Sequence, residues 1–198
     1  MSGLKLDFGC GTGVKQGYEG VDCADTGPHV RHVVDLTKTL PWRDGSVYAI
    51  HANHILEHMP YWRIRDIIFE WSRVLAPDGI IEVSGPDILK IMHWVRGDPL
   101  RLLEVQVDIV GTHEDKYEND IGVVDPGRHR TVLCGPMVAW WLRAAGVYAK
   151  VVDFEKTFRT FKVKGNKIRR VAKKNFQAFV RYQREWPDMK LYEDTLRR

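Results

Sequence analysis

Cysteine is scarce in this chain: Cys10, Cys23 and Cys134 are the three among 198 residues, an odd number with no C-x-x-C pair. That argues against a disulfide framework and against a zinc ribbon, and leaves reduced thiols as the expectation. No apolar run approaches the roughly 18 residues needed to cross a bilayer, and no basic-then-apolar leader opens the chain. A cytoplasmic protein with no membrane partner is expected. Internal repeats and low-complexity tracts are lacking too. One stretch lacks charge of one sign: residues 156–184 hold 11 basic and no acidic residues, whereas residues 1–155 hold 16 basic against 22 acidic. The net charge of +4 therefore conceals a basic C-terminal block, of the kind that can attract a polyanion such as nucleic acid.

Two nucleotide signatures are also missing. A dinucleotide fingerprint needs glycine at position 14, where Val14 stands, and a phosphate-binding P-loop needs Gly-Lys-Ser/Thr, where Gly13-Val14-Lys15-Gln16 stands. What is present is a short apolar strand, Leu4-Lys5-Leu6-Asp7-Phe8, running into Gly9-Cys10-Gly11-Thr12-Gly13, with Val21-Asp22 close behind. Alternating glycines let the backbone turn tightly and approach a ligand where a Cβ would collide. Asp22 ends the next strand, where a carboxylate can accept hydrogen bonds from ribose hydroxyls.

The remaining pattern alternates strands and helices. Leu4 to Phe8, Tyr18 to Val21, Val30 to Val34, Val47 to Ala52 and Ile80 to Ser84 read as strands, the fourth apolar enough to be buried on both faces. Ile64, Ile67, Ile68, Trp71, Val74 and Leu75 recur at helical spacing, with Gly79 closing that helix. Ile88 to Val95 and Met137 to Ala145 read as helices, the second stopped by Gly146, and Tyr148 to Phe154 as a strand. Phe158 to Val163 and Ile168 to Val171, joined by Lys164-Gly165-Asn166-Lys167, suggest a basic hairpin, and Asn175 to Arg184 a short closing helix. Right-handed crossovers make this an α/β fold with a doubly wound, Rossmann-like sheet whose ligand sits at the carboxyl ends of the strands. Asp7, Asp22 and Asp35 then share one sheet edge.

In order along the chain, Leu4 to Asp22, Val33-Val34-Asp35-Leu36, His54-Ile55-Leu56-Glu57-His58 and Arg73-Val74-Leu75-Ala76-Pro77-Asp78-Gly79 resemble class I S-adenosylmethionine-dependent methyltransferases. The resemblance is greatest to small methyltransferases associated with glycan and surface-polysaccharide synthesis, in which, as here, almost no helix separates the glycine loop from Gly17-Tyr18-Glu19-Gly20-Val21-Asp22. Asp78 departs from the family's usual glycine, and the chain starts at the first strand without leading helices. The resemblance implies a mostly parallel seven-stranded sheet, a cofactor-binding domain over residues 1–174 with an insertion at 96–136, and a helical tail at 175–198. It also implies S-adenosylmethionine as cofactor, with Asp7, Gly9, Cys10 and Gly11 at its methionine part, Asp22 at the ribose, Asp35 and Leu36 at the adenine, and Cys23 and Asn53 as further cofactor-binding residues.

His54, at the end of strand four, is the expected general base for a hydroxyl acceptor, with Asp87 second. His113, Tyr117, Arg128, His129 and Arg130 of the insertion are candidate acceptor contacts. His54-Ile55-Leu56-Glu57-His58 also spells the H-x-x-E-H of inverted zinc peptidases, but no downstream carboxylate ligand is evident, and no metal is expected. No Asn/Asp-Pro-Pro-Tyr/Phe follows strand four, which disfavours methylation of nucleic-acid bases, and the resemblance implies O-methylation of a small polar or glycan-like acceptor. Three rivals stay open: a nucleic-acid or nucleotide-linked partner held by residues 156–184, a catalytically silent binding module, and a nicotinamide-dependent reductase.

Overall fold

The computed structural model describes residues 3–96, 98, 100–111, 128–152 and 159–175. Seven strands form one sheet in the order β3-β2-β1-β4-β5-β7-β6. They are β1 (Leu4–Phe8), β2 (Glu19–Asp22), β3 (Val30–Val33), β4 (Val47–Asn53), β5 (Leu75–Pro86), β6 (Val147–Val151) and β7 (Thr160–Lys167). The first five pair in parallel, and β7 runs antiparallel between β5 and β6. The sheet is thus the mostly parallel, doubly wound one expected. Strand order reverses at β1, whose neighbours are β2 and β4, and such a switch point opens a crevice at the carboxyl ends of the strands.

Helix α1 (Ile64–Val74) buries Ile64, Ile67, Ile68, Trp71 and Val74 and turns its charged side outward, as the 3.6-residue period requires. Helix α5 (Gly135–Ala144) packs beside it, burying Val138, Ala139 and Leu142. The two cover one face of the sheet, where Leu6, Phe8, Ile50, Ile81, Val83 and Phe161 are at most 2% exposed. Phe8 lies 5.4 Å from Trp71 and 5.9 Å from Trp42, ring to ring, which ties the start of the sheet to α1 and to the turn before β4. Helices α2 (Ile88–Val95), α3 (Arg101–Glu104) and α4 (Gln106–Val110) follow β5. Residues alternate across a strand, so Ile80 and Glu82 face away from that core; there Ile80 and Tyr148 are 45% and 60% exposed.

Two expectations are corrected. Helix α1 is not closed by Gly79: it ends at Val74, Leu75 is already extended, and the left-handed turn position is taken by Asp78 at φ 60°. Aspartate tolerates that conformation better than most side chains. Gly79 is needed for space, since a Cβ there would lie 2.8 Å from the Ala76 carbonyl oxygen. The basic hairpin is also absent: Lys164-Gly165-Asn166-Lys167 is not a turn but the second half of β7. A Cβ on Gly165 would come within 2.7 Å of Val147 and 2.8 Å of the Tyr148 carbonyl oxygen, so this glycine marks close approach to β6. Of the closing helix expected over Asn175 to Arg184, all but Asn175 lies outside the described residues, as do His113 and Tyr117.

Candidate active site

Every loop that leaves a parallel strand at its carboxyl end arrives at the same edge. After β1, Gly9 and Gly11 take φ values of 67° and 57°, which glycine adopts without strain. Space compounds the requirement at Gly9, where a Cβ would fall 2.5 Å from Ile55. At Gly11 an added Cβ meets nothing within 4 Å, so the loop opens toward free space. The Gly9 amide donates to the Val21 carbonyl at 2.8 Å, clamping the loop onto β2.

Asp22, last in β2, accepts from the Gly11 amide through Oδ2 at 2.9 Å and from its neighbour Cys23 through Oδ1 at 2.7 Å. Each oxygen keeps a further acceptor site for hydroxyl donors. Thr26 donates to the Gly11 carbonyl at 2.8 Å, and His29 Nε2 lies 2.5 Å from the same oxygen. Asp35 accepts from the Thr37 amide at 2.9 Å and hydroxyl at 2.6 Å. Burial works to raise its pKa, but these bonds, with Lys38 and Arg63 nearby, hold it below the ordinary range. The Leu36 side chain belongs to the core, leaving its backbone to face the edge.

Asp7 is 5% exposed and both its oxygens are engaged, Oδ2 by the Lys15 amide at 2.7 Å and Oδ1 by His51 Nδ1 at 2.6 Å. Its work here is to anchor the glycine loop at both ends. The position of His51 follows from register, since Asp7 and His51 are direct cross-strand partners. That pairing is invisible in sequence, because the register between β1 and β4 is set by tertiary packing.

At the end of β4, Asn53 Oδ1 accepts from the Ser84 hydroxyl at 2.6 Å. His54 follows at φ 51°, a conformation that costs a non-glycine residue about 1–3 kcal/mol and is characteristically found at functional sites. Its amide donates to the Ser84 carbonyl at 2.9 Å. Its ring, 45% exposed, lies 3.1 Å from Oε1 of Glu57, whose side chain is 2% exposed. The Glu57 carboxylate holds His54 above its ordinary pKa against the opposing effect of burial, whereas burial holds His58 below its own. The i,i+3 spacing of His54 and Glu57 is the signal in the sequence for this pair.

Asp87 does not join this group. It is fully buried, its Oδ1 caps α2 by accepting from the Leu89 and Lys90 amides at 3.1 and 3.4 Å, and its Oδ2 accepts from the Gly135 amide at 3.3 Å. A carboxylate so enclosed has no path to an acceptor, so its role as second candidate base is replaced by a capping one. The thiols are free, as expected. Burial pushes Cys134 up to about 12, and burial likewise raises Cys10 and Cys23, with Asp22 adding to both, so all three are kept as thiols.

Residues 19–83, from β2 into β5, match the family model of a methyltransferase domain. The chain has the fold of S-adenosylmethionine-dependent methyltransferases. A methyltransferase of that kind from Archaeoglobus fulgidus superposes with a TM-score of 0.58 at 14% identity, over 83% of this chain and 86% of that one. Another from Methanosarcina mazei gives 0.54 at 16% identity, over 83% and 92%. The 1,6-didemethyltoxoflavin-N1-methyltransferase of Burkholderia thailandensis, solved with its substrate and S-adenosylhomocysteine, gives 0.50 at 16% identity, over 84% and 71%. No curated protein matches the sequence. In the methyltransferase fold the glycine loop, Asp22 and Asp35 occupy adjoining strand ends. The open space over Gly11 and the unused acceptor sites of both carboxylates fit a ligand carrying an ammonium group, a ribose and an adenine.

Proposed function

We propose that the protein methylates an oxygen of a small polar or glycan-like acceptor, with S-adenosylmethionine as methyl donor and residues 1–174 as the catalytic unit. The observation that carries the acceptor reading is the pairing of exposed His54 with buried Glu57 at the mouth of the crevice, 3.1 Å apart. Bound S-adenosylmethionine supplies a methyl group already activated by its positive sulfur, so the protein's task is alignment, exclusion of water and removal of one proton. Gly9, Cys10 and Gly11 would hold the amino-acid portion, Asp22 with Cys23 the ribose, and Asp35 with the Leu36 backbone the adenine. His54 would accept the acceptor hydroxyl's proton, and Glu57 would orient the ring and stabilise its charged form. Asn53, fixed by Ser84, flanks the same opening.

The alternative nucleic-acid partner loses ground on charge. In the described part of the basic tract, Lys164 pairs with Glu82 at 2.9 Å, Arg159 with Asp108 at 2.9 Å and Lys173 with Asp66 at 3.3 Å. Arg170 is bonded to Asp44, and Lys167 is buried with its ammonium on the Ser72 carbonyl. Much of this charge is thus spent on the domain's own acids and spread over several surfaces instead of one stripe.

The test is transfer of a labelled methyl group from S-adenosylmethionine to a panel of free sugars, nucleotide sugars, small phenols and RNA. Label in a base-labile or ether-linked methyl on a small hydroxyl acceptor is expected, with His54→Ala lowering kcat about 10²- to 10⁴-fold and leaving cofactor affinity intact. Label entering RNA alone would overturn the reading.

A further inference from the structure

Glu57 presents an unresolved electrostatic problem. It lies in the 3-10 turn Leu56–His58 after β4, is 1% exposed, and among the described residues neither carboxylate oxygen receives a hydrogen bond. His54 Nδ1 lies 3.1 Å from Oε1 as an ion-pair partner, and Oε2 has no hydrogen-bond partner among the described residues. A buried carboxylate left in this state is costly unless a proton, a water or a cation compensates it.

Its neighbours supply the chemistry for a cation. One donor atom from each of Glu57, His58 and His129 lies within 4.8 Å of the others. The two imidazoles are set in the same way. His58 Nδ1 faces the Arg128 carbonyl oxygen at 3.2 Å, and His129 Nδ1 faces the Asp108 carbonyl oxygen at 3.1 Å. A carbonyl only accepts, so each of these bonds is made with the proton on Nδ1, and a neutral ring bonded in this way has its lone pair on Nε2, an arrangement typical of metal-binding histidine. The segment bearing His129 is fastened to the turn: the Arg130 and Thr131 amides donate to the Glu57 carbonyl at 2.7 and 3.0 Å, and the Thr131 hydroxyl to the Met59 carbonyl at 2.5 Å. Beside it a cavity of about 10 Å³, lined in part by Glu57, Asp108, His129 and Thr131, is on the scale of one water or ion.

We propose that Glu57, His58 and His129 form a binding site for one divalent transition-metal ion of the zinc class. Two imidazoles and a carboxylate are a donor set that Zn²⁺, Fe²⁺ and Mn²⁺ accept. In a tetrahedral zinc shell the donors sit about 3.3 Å apart, so binding draws the trio together by up to about 1.5 Å. Three protein donors leave a position open for an oxygen ligand, and His54 stands on the same carboxylate. In sequence, His54 and His58 lack a downstream carboxylate ligand; in the fold the group is a different one, with His129 joining His58 and Glu57 and His54 left out of it. The proposal does not depend on methyl transfer.

The test uses the full chain freed of any tag and stripped with chelator, titrated with Co²⁺ and followed by its visible absorption. One Co²⁺ per chain with intense four- or five-coordinate bands, displaced by Zn²⁺, is expected. Affinity should fall at least 100-fold in His129→Ala and in His58→Ala, and stay unchanged in His32→Ala, whose imidazole pairs with Glu19 instead. Zn²⁺ should raise the Tm of the parent protein and not that of His129→Ala. Should either alanine variant unfold, His129→Gln replaces it, judged by far-ultraviolet circular dichroism before titration. Absence of saturable Co²⁺ binding, or binding indifferent to both His58 and His129, overturns the site.

Discussion

Replacing Asp22 by alanine separates the two jobs the structure gives this carboxylate. In the free protein it accepts the Gly11 amide at 2.9 Å and the Cys23 amide at 2.7 Å, both at an exposed edge. Water can replace those bonds, so the cost to folding is held to about 1 kcal/mol. With cofactor bound, two hydroxyl donors of a ribose would add to the same oxygens, and hydrogen bonds to a charged group are worth about 1.5–3 kcal/mol each before the loop's own reorganisation is counted. A net loss of about 2–4 kcal/mol follows, or roughly 30- to 700-fold in affinity. Calorimetric titration with S-adenosylhomocysteine measures it directly, and urea unfolding without ligand measures the folding cost in parallel. Asp22→Asn, which keeps one carbonyl acceptor, should fall between the two. If well-folded Asp22→Ala binds S-adenosylhomocysteine within threefold of the parent, the carboxylate only ties the loop, and the ribose assignment is wrong.

Gly20→Ala should cost about 3 kcal/mol in urea unfolding, because the new Cβ would lie 2.2 Å from the His29 carbonyl oxygen, a backbone atom that cannot swing aside; a loss under 1 kcal/mol would show that the β2–β3 connection yields freely. Glu70 accepts from the Leu40 amide at 2.8 Å and from Arg73 at 2.6 and 2.9 Å. Burial pushes its pKa upward, but these bonds win and lower it below the ordinary 4.5. Its contribution is therefore full above that value and is lost as pH falls through the lowered one. Glu70→Gln should cost about 1–3 kcal/mol at pH 7 and progressively less in acid, so the two stabilities should converge once pH has fallen through the lowered pKa; a gap that persists there would assign the loss to packing instead.

What could be read from the residues, and what could not, divides along the range of the interactions. Glycines at positive φ, an acid at a strand end and a helix with apolar residues every three or four positions are local facts, and the sheet, α1 and the loop of Gly9 and Gly11 follow from them. Lys164-Gly165-Asn166-Lys167 misled because a glycine among polar residues has two uses. A turn needs its conformational freedom, whereas β7 needs its missing side chain against Val147, and only the partner strand distinguishes them. Asp87 misled in a related way: a position just past a strand end suits a base or a helix cap equally, and the Leu89, Lys90 and Gly135 amides decide for the cap. Glu57 is the instructive residue at the site. Beside two histidines it read as part of a peptidase-like helical motif. The structure places it in a short turn, with His54 thrown outward by its left-handed backbone and His129 brought in from more than seventy residues away by bonds to the Glu57 carbonyl. The same five-residue sequence thereby faces two ways, His54 toward the crevice and His58 toward His129, with one buried carboxylate between them.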